Sequence, residues 1–248
     1  MENELFDLSV QAAMRIPPKN VIGTKSEHRV HGALKYFFQP CDDYHEIKLE
    51  GFICDATDSE YNEVFEIQTR DFSKLRKKLQ HLLLSHPVTV IHPITVEKRL
   101  TVIYEESGEA SVRKSPKKAV LDDIFDELYR IRDYLPCPNL RILAAEIKVH
   151  ETRVYKGLKG DRKPFQKPIS VERVPTELVG ITEINYPDSY LSKLPSSLPE
   201  CFTSGDLARE SNLARAKASF ILKLLTELGF VTRVGRDKRG YIYERAHP

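Results

Sequence analysis

Between residues 24 and 38 the apolar positions Val30, Leu34, Phe37 and Phe38 follow a polar opening, Thr24-Lys25-Ser26-Glu27. That spacing predicts a helix. Residues 45–55 alternate instead, with Ile47, Leu49 and Ile53 on one side of a predicted strand. A second strand is predicted over 61–68, and Asp58-Ser59-Glu60 between them is turn chemistry, so the pair reads as an antiparallel hairpin. Phe72, Leu75, Leu79 and Leu82 predict a helix over about 72–84. The nearly continuous apolar run at 87–94 reads as a buried strand. Strand, helix and strand in that order imply a crossover and a parallel pair.

Further along, 99–106 reads as a strand, 111–118 as a basic loop, 119–135 as a long helix and 139–149 as a strand. A basic excursion containing Gly and Pro occupies 152–171. Residues 1–23 form an arm, with a short amphipathic piece stopped by Ile16-Pro17-Pro18. The proline-rich stretch 186–200 reads as a linker. The expected organisation is an arm (1–23), an α/β domain (24–185), a linker (186–200) and a small C-terminal domain (201–248).

Composition narrows the classes. The chain has 248 residues, 41% hydrophobic and 30% charged, with a net charge of +2. This fits a soluble globular chain with no global polyanion signal. No apolar run is long enough to span a bilayer, and the acidic start MENELFDLSV has no signal-peptide pattern. Four cysteines without a CxxC exclude a zinc ribbon and point to reduced thiols. The expected location is cytoplasmic, with no membrane partner. His28 and His31 lack a partnering cluster and read as surface or packing histidines. Charge is unevenly spread: residues 201–248 carry nine Lys or Arg against five Asp or Glu, a balance of +4.

Three acids stand out. Glu66 and Gln68 are two apart on one predicted strand and share a face. Asp55 is in phase with the apolar side of its strand, where a carboxylate is costly unless paired or metal-bound. Glu27 lies in line with Val30, Leu34 and Phe38, although Thr24-x-x-Glu27 is also a capping box. Such a cluster suits a hard divalent cation such as Mg²⁺ or Mn²⁺, held by Asp55 and Glu66, which could orient water and neutralise a scissile phosphate.

The order helix Glu, strand Asp, turn, strand Glu-x-polar, helix, apolar strand resembles the PD-(D/E)XK nuclease superfamily over about residues 24–95. The resemblance implies a restriction-endonuclease-like mixed sheet with flanking helices and Mg²⁺-dependent hydrolysis of DNA phosphodiesters. It matches Asp55 and Glu66 to the motif acids, Glu27 to the helix acid and Gln68 to the motif lysine. Gln68 cannot carry the lysine's charge, so Lys74, one turn into the following helix, is the expected replacement, with Lys77 and Lys78 further along. Arg70, Lys77 and Lys78 are expected phosphate contacts. Restriction-type enzymes often act as dimers, so the resemblance allows a homodimer, although the sequence carries no dimer signature.

In the C-terminal region Thr203 opens one helix, and a second runs over about 214–228 and ends at Gly229. FVTRV and GYIYER then flank a turn at 235–240. The pattern resembles a winged helix–turn–helix. The resemblance implies Arg215, Lys217 and Ser219 in the major groove and Arg236, Lys238 and Arg239 on phosphates. The alternatives are a scaffold that binds DNA without cutting it, and a winged helix used for protein contacts.

Overall fold

The computed structural model describes residues 2–15, 25–156, 167–238 and 240–246, with the side chains of residues 25–28 outside that description. Strands β1 (His45–Leu49), β2 (Phe52–Thr57), β3 (Val64–Ile67), β4 (Val88–Tyr104), β6 (Leu140–Tyr155) and β7 (Ile169–Glu183) pair in that order, and β5 (Ala110–Lys114) adds to the edge of β4. β3, β4 and β6 are mutually parallel and the other pairings are antiparallel, so the sheet is mixed. The β3–β4 pair is the expected crossover product, in register Val64 to Val88 through Ile67 to Ile91.

Helices cover both faces. On one side α1 (Glu2–Arg15) and α2 (Lys25–Phe38) bury Phe6, Val30 and Leu34 against Ile67, Ile91, Leu143 and Ile147. The expected arm is therefore part of this layer up to Arg15, and Phe6 stacks edge-on against Phe37. On the other side α3 (Arg76–Leu82) and α4 (Ile124–Leu128) bury Leu79, Leu82, Phe125 and Leu128 against Val64, Val90 and Ile142.

Five elements differ from the sequence expectation, the first being the basic loop expected over 111–118, whose opening residues form β5. Residues 45–55 are two strands, because Glu50 and Gly51 take φ of 47° and 82° and turn the chain back on itself. Glycine reaches that conformation without a Cβ penalty. The turn removes the common face of Ile47, Leu49 and Ile53, and Ile53 is 61% exposed. The helix expected over 72–84 begins as a 3₁₀ turn, Phe72–Leu75. The one expected over 119–135 is α4 between 3₁₀ turns at Leu121–Asp123 and Tyr129–Tyr134. The two strands expected over 87–106 are the single 17-residue β4.

β4 runs through Pro93, which has no N–H to give to a ladder. The register explains this. The Pro87 and Ile91 carbonyls accept from Val64 and Gln68, so odd positions of β4 face β3. β3 ends at Ile67, so position 93 faces an edge with no strand beside it.

The C-terminal region holds β8 (Cys201–Thr203), β9 (Val231–Asp237) and β10 (Gly240–Arg245) in the order β8-β10-β9, with α6 (Ser204–Glu210) and α7 (Arg215–Glu227). Thr203 and Asp206 cap α6 reciprocally. This unit does not stand apart. Ala218, Ile221 and Leu225 of α7 belong to the same buried cluster as Phe125 and Leu128. Residues 186–200, expected as a linker, form the short helix α5 (Asp188–Leu191) and insert Tyr190, Leu194 and Leu198 into that cluster. Among the described residues no helix is long and apolar enough to cross a membrane.

Phe125 is 1% exposed and stacks edge-on against Tyr190. Phe125→Ala should cost about 3–5 kcal/mol. Because the core is shared, near-UV circular dichroism and limited proteolysis at the C-terminal unit should report one common unfolding transition, lowered in step. Glu151 accepts from Lys98 at 3.0 Å and Arg153 at 2.7 Å. Burial raises its pKa, but those two cations outweigh burial and hold it at about 2, against an ordinary 4.5. A carboxyl lowered on folding stabilises above its unfolded pKa and loses that contribution as pH falls toward the folded value. Denaturant midpoints should therefore drop between about pH 4.5 and 2, and Glu151→Gln should flatten that drop.

Candidate functional site

The β2–β3 ladder is short. Ala56 pairs with Phe65 and Thr57 with Val64, and the next pair, Asp55 and Glu66, falls where the strands part. The carboxylates take over from the ladder there. The Ile67 amide donates to Asp55 Oδ2 at 2.8 Å, and the Asp55 amide donates to Glu66 Oε1 at 3.3 Å. Splayed strand ends expose backbone N–H groups that must find acceptors, and these two side chains supply them.

The two acids take partners from helices on opposite faces of the sheet. Glu66 shares a face with Val64, on the α3 side, where it is 3% exposed. Lys78 of α3 reaches it, donating to Oε1 at 2.7 Å and Oε2 at 2.8 Å, and donates also to the Ile53 carbonyl at 2.7 Å. Asp55 leans toward α2, where His31 Nε2 lies 3.1 Å from Oδ2. The result is a chain of four groups, His31, Asp55, Glu66 and Lys78, threaded through the sheet at the end of the hairpin.

Their electrostatics diverge. Burial pushes the Glu66 carboxyl up to about 7, and the Asp55 charge adds to that, against the pull of Lys78. Burial also raises Asp55, but its hydrogen bond with His31, the Ile67 amide and Lys78 prevail and hold it below the usual carboxylate range. The neighbouring Cys54 thiol is pushed up to about 11, first by burial and then by Glu66. Two adjacent acids whose surroundings push their pKa values apart form the arrangement that acid–base pairs use.

The lysine is not the one the sequence reading selected. Lys74 is exposed in the 3₁₀ turn and bonds neither carboxylate, and Lys77 is exposed as well. Lys78 is the residue at helical phase with the buried Leu75, Leu79 and Leu82, at i+3 from Leu75. A cation in a core stripe was the signal that could have marked it. Gln68 does not face the acids. Its amide donates to the carbonyls of Arg70 and Asp71, bracing a turn in which Asp71 has φ of 56°. The Gln68 carbonyl in turn meets His92 Nδ1 at 2.7 Å. Arg70 is exposed, and the Glu27 side chain lies outside the described residues.

His31 is the residue that sequence reasoning missed. It read as a packing histidine, and only the approach of α2 to the end of β2 gives it a carboxylate partner. Among the described residues no three His, Cys, Asp or Glu side chains converge as a ready metal-binding group. The oxygen donors available to a hard cation are those around the Lys78 ammonium, namely the Glu66 carboxylate and the Ile53 carbonyl, with Asp55 adjoining.

In the C-terminal unit Arg215 and Ser219 are exposed on α7, as are Arg236 and Lys238 on the β9–β10 side. Arg233 and Arg236 lie over the Tyr241 ring at 4.5 and 5.3 Å. Lys217, expected to read a DNA groove, points inward and pairs with Asp123 at 3.1 Å and Asp126 at 2.9 Å. It ties α7 to the α4 region instead. Arg239 lies outside the described residues.

The chain is 29% identical over 227 residues to a protein of Treponema pallidum (strain Nichols) described as "Uncharacterized protein", covering 92% of this chain and 88% of that one. No solved structure gives a significant match. A family model described as "Domain of unknown function (DUF8091)" matches residues 28–185. That span includes the whole mixed sheet and the His31–Asp55–Glu66–Lys78 chain, and the protein belongs to this family.

Proposed function

We propose that the protein is a restriction-endonuclease-like, metal-assisted phosphodiester hydrolase acting on DNA, with the C-terminal unit serving as a winged helix. The observation that carries this reading is Lys78. Its ammonium stands on both oxygens of Glu66 beside Asp55, where the hairpin opens. The superfamily motif that the sequence resembles needs two acids and a nearby lysine, and Lys78 supplies from α3 the charge that Gln68 lacks.

The donor set fits Mg²⁺ or Mn²⁺, since every group around the ammonium is oxygen. Asp55 and Glu66 would hold the ion. When bound, it would neutralise charge on the scissile phosphate and lower the pKa of a bound water. Lys78, released from Glu66, would orient the attacking water and offset charge developing on the phosphoryl oxygens. His31 fixes the Asp55 carboxylate in place from the opposite face. Exposed Arg70, Lys77, Arg215, Ser219, Arg236 and Lys238 would contact the DNA, with the backbone contacts positioning it rather than reading its sequence.

A second reading has its own observation. Both Glu66 oxygens and Asp55 Oδ2 already have donors within the protein. A self-satisfied network of this kind favours a scaffold that binds DNA without cutting it.

Calorimetry with Mg²⁺ and Mn²⁺ separates the two readings, on wild type and on Asp55→Asn with Glu66→Gln, which keep the side-chain volumes. The nuclease reading expects binding heat in wild type, lost in the double variant, together with metal-dependent nicking of plasmid DNA. Lys78→Met should keep most of the binding heat and lose nicking by about 100-fold or more. It should also cost about 3–5 kcal/mol of stability, because it strands a buried carboxylate, so nicking is compared at a temperature where the variant is folded. No heat in wild type, even with duplex DNA present, leaves the scaffold reading.

A further inference from the structure

β3 stops at Ile67, opposite Ile91, and β5 joins β4 only from Arg99 onward. The β4 edge between them carries no strand. The chain following β5 returns to close it: the Ser115 amide donates to the Lys98 carbonyl and the Ala119 amide to the Thr95 carbonyl, both at 2.8–3.0 Å. This closure leaves a cavity of about 180 Å³ at the gap.

The walls are strongly cationic. Lys98, Lys117, Lys118 and Arg173 line the cavity, against one acid, Asp123. Asp123 is already matched by Lys217, which sits 3.1 Å away. Lys98 is matched by Glu151 at 3.0 Å. Lys117 and Lys118 have no acidic partner among the described residues, and both are exposed at the mouth. Arg173 donates through Nη2 to the Thr95 hydroxyl, which fixes its guanidinium against the wall. The cavity is thus lined by two anchored cations, Lys98 and Arg173, by Thr95, and by two exposed ammonium groups with no acidic partner among the described residues.

We propose that this cavity is a binding site for a phosphoryl group. Phosphate oxygens accept several charge-assisted hydrogen bonds at once, and Arg and Lys are the side chains that supply them. At roughly 30 Å³ for each water, the cavity has room for about six waters, enough for a phosphoryl group and part of its ester. The site lies past the C-terminal end of β3, on the stretch of β4 between its pairings with β3 and β5. It uses none of the His31–Asp55–Glu66–Lys78 residues and does not depend on the function proposed for them.

The phosphoryl group could belong to a small phosphate compound or to a nucleic-acid backbone, and two titrations separate these sources. One follows inorganic phosphate by calorimetry. The other follows a labelled 12-base-pair duplex by fluorescence anisotropy at two salt concentrations. Each is run on wild type, on Lys117→Ala with Lys118→Ala, and on Lys117→Arg with Lys118→Arg. The substituted side chains are exposed, and a matching thermal midpoint controls for folding. Saturable phosphate binding that weakens about tenfold or more in the alanine variant and persists in the arginine variant supports the site with a small-molecule source. Absent phosphate binding, with duplex affinity and its salt slope reduced in the alanine variant alone, supports it with a backbone source. Equal behaviour of wild type and the alanine variant in both titrations overturns the proposal.

Discussion

Everything around the candidate sites follows from the demand that β4 satisfy its backbone along its whole length. It is 17 residues long, while β3 beside it has only four. Buried N–H and C=O groups must be paired, so the part of β4 beyond Ile91 requires a different partner at each step. Pro93 removes one donor at the first unpartnered position. The segment after β5 supplies donors to Thr95 and Lys98, and β5 itself takes over from Arg99. The cationic cavity is the space this patchwork leaves.

The same kind of demand shapes the Asp55–Glu66 pair. Two strands that separate after two residue pairs strand their next amides, and carboxylates answer that need at a lower cost than unpaired buried donors. Burying two acids side by side then creates a second problem, negative charge in a poorly solvated place. It is divided between two helices: α3 brings Lys78 to Glu66 and α2 brings His31 to Asp55. A buried ion pair of this kind is weak evidence for stability by itself, because desolvation offsets much of the attraction. Its interest lies in the proposed chemistry, which needs acids and a cation side by side.

The C-terminal unit shows how a local pattern leaves its use open. Helix, turn, helix and hairpin are legible between 201 and 246, yet Lys217 sits in α7 facing Asp123 and Asp126. Its helical phase with Ala218 and Ile221 places it beside the buried stripe, which is compatible with docking as well as with a groove. Nothing within those residues states that α4 lies opposite. The shared core around Phe125 and Tyr190 makes the difference.

The sequence by itself determined the crossover of β3, α3 and β4, the closeness of Asp55 and Glu66 and the existence of the C-terminal helix pair. Those features rest on local periodicity, turn residues and strand parity, which act over a few residues. It also contained the phase of Lys78 with Leu75, Leu79 and Leu82, although a charged side chain in a core stripe is easily read as a solvated one. The alternation of Ile47, Leu49 and Ile53 misled, because a turn at Glu50-Gly51 reverses the chain while leaving the pattern intact. Only the tertiary structure decided that His31 meets Asp55, that Lys217 faces inward, and that Lys98, Lys117, Lys118 and Arg173 surround one cavity. These residues are far apart in the chain, and their encounters depend on where strands end and helices dock, which no local spacing records.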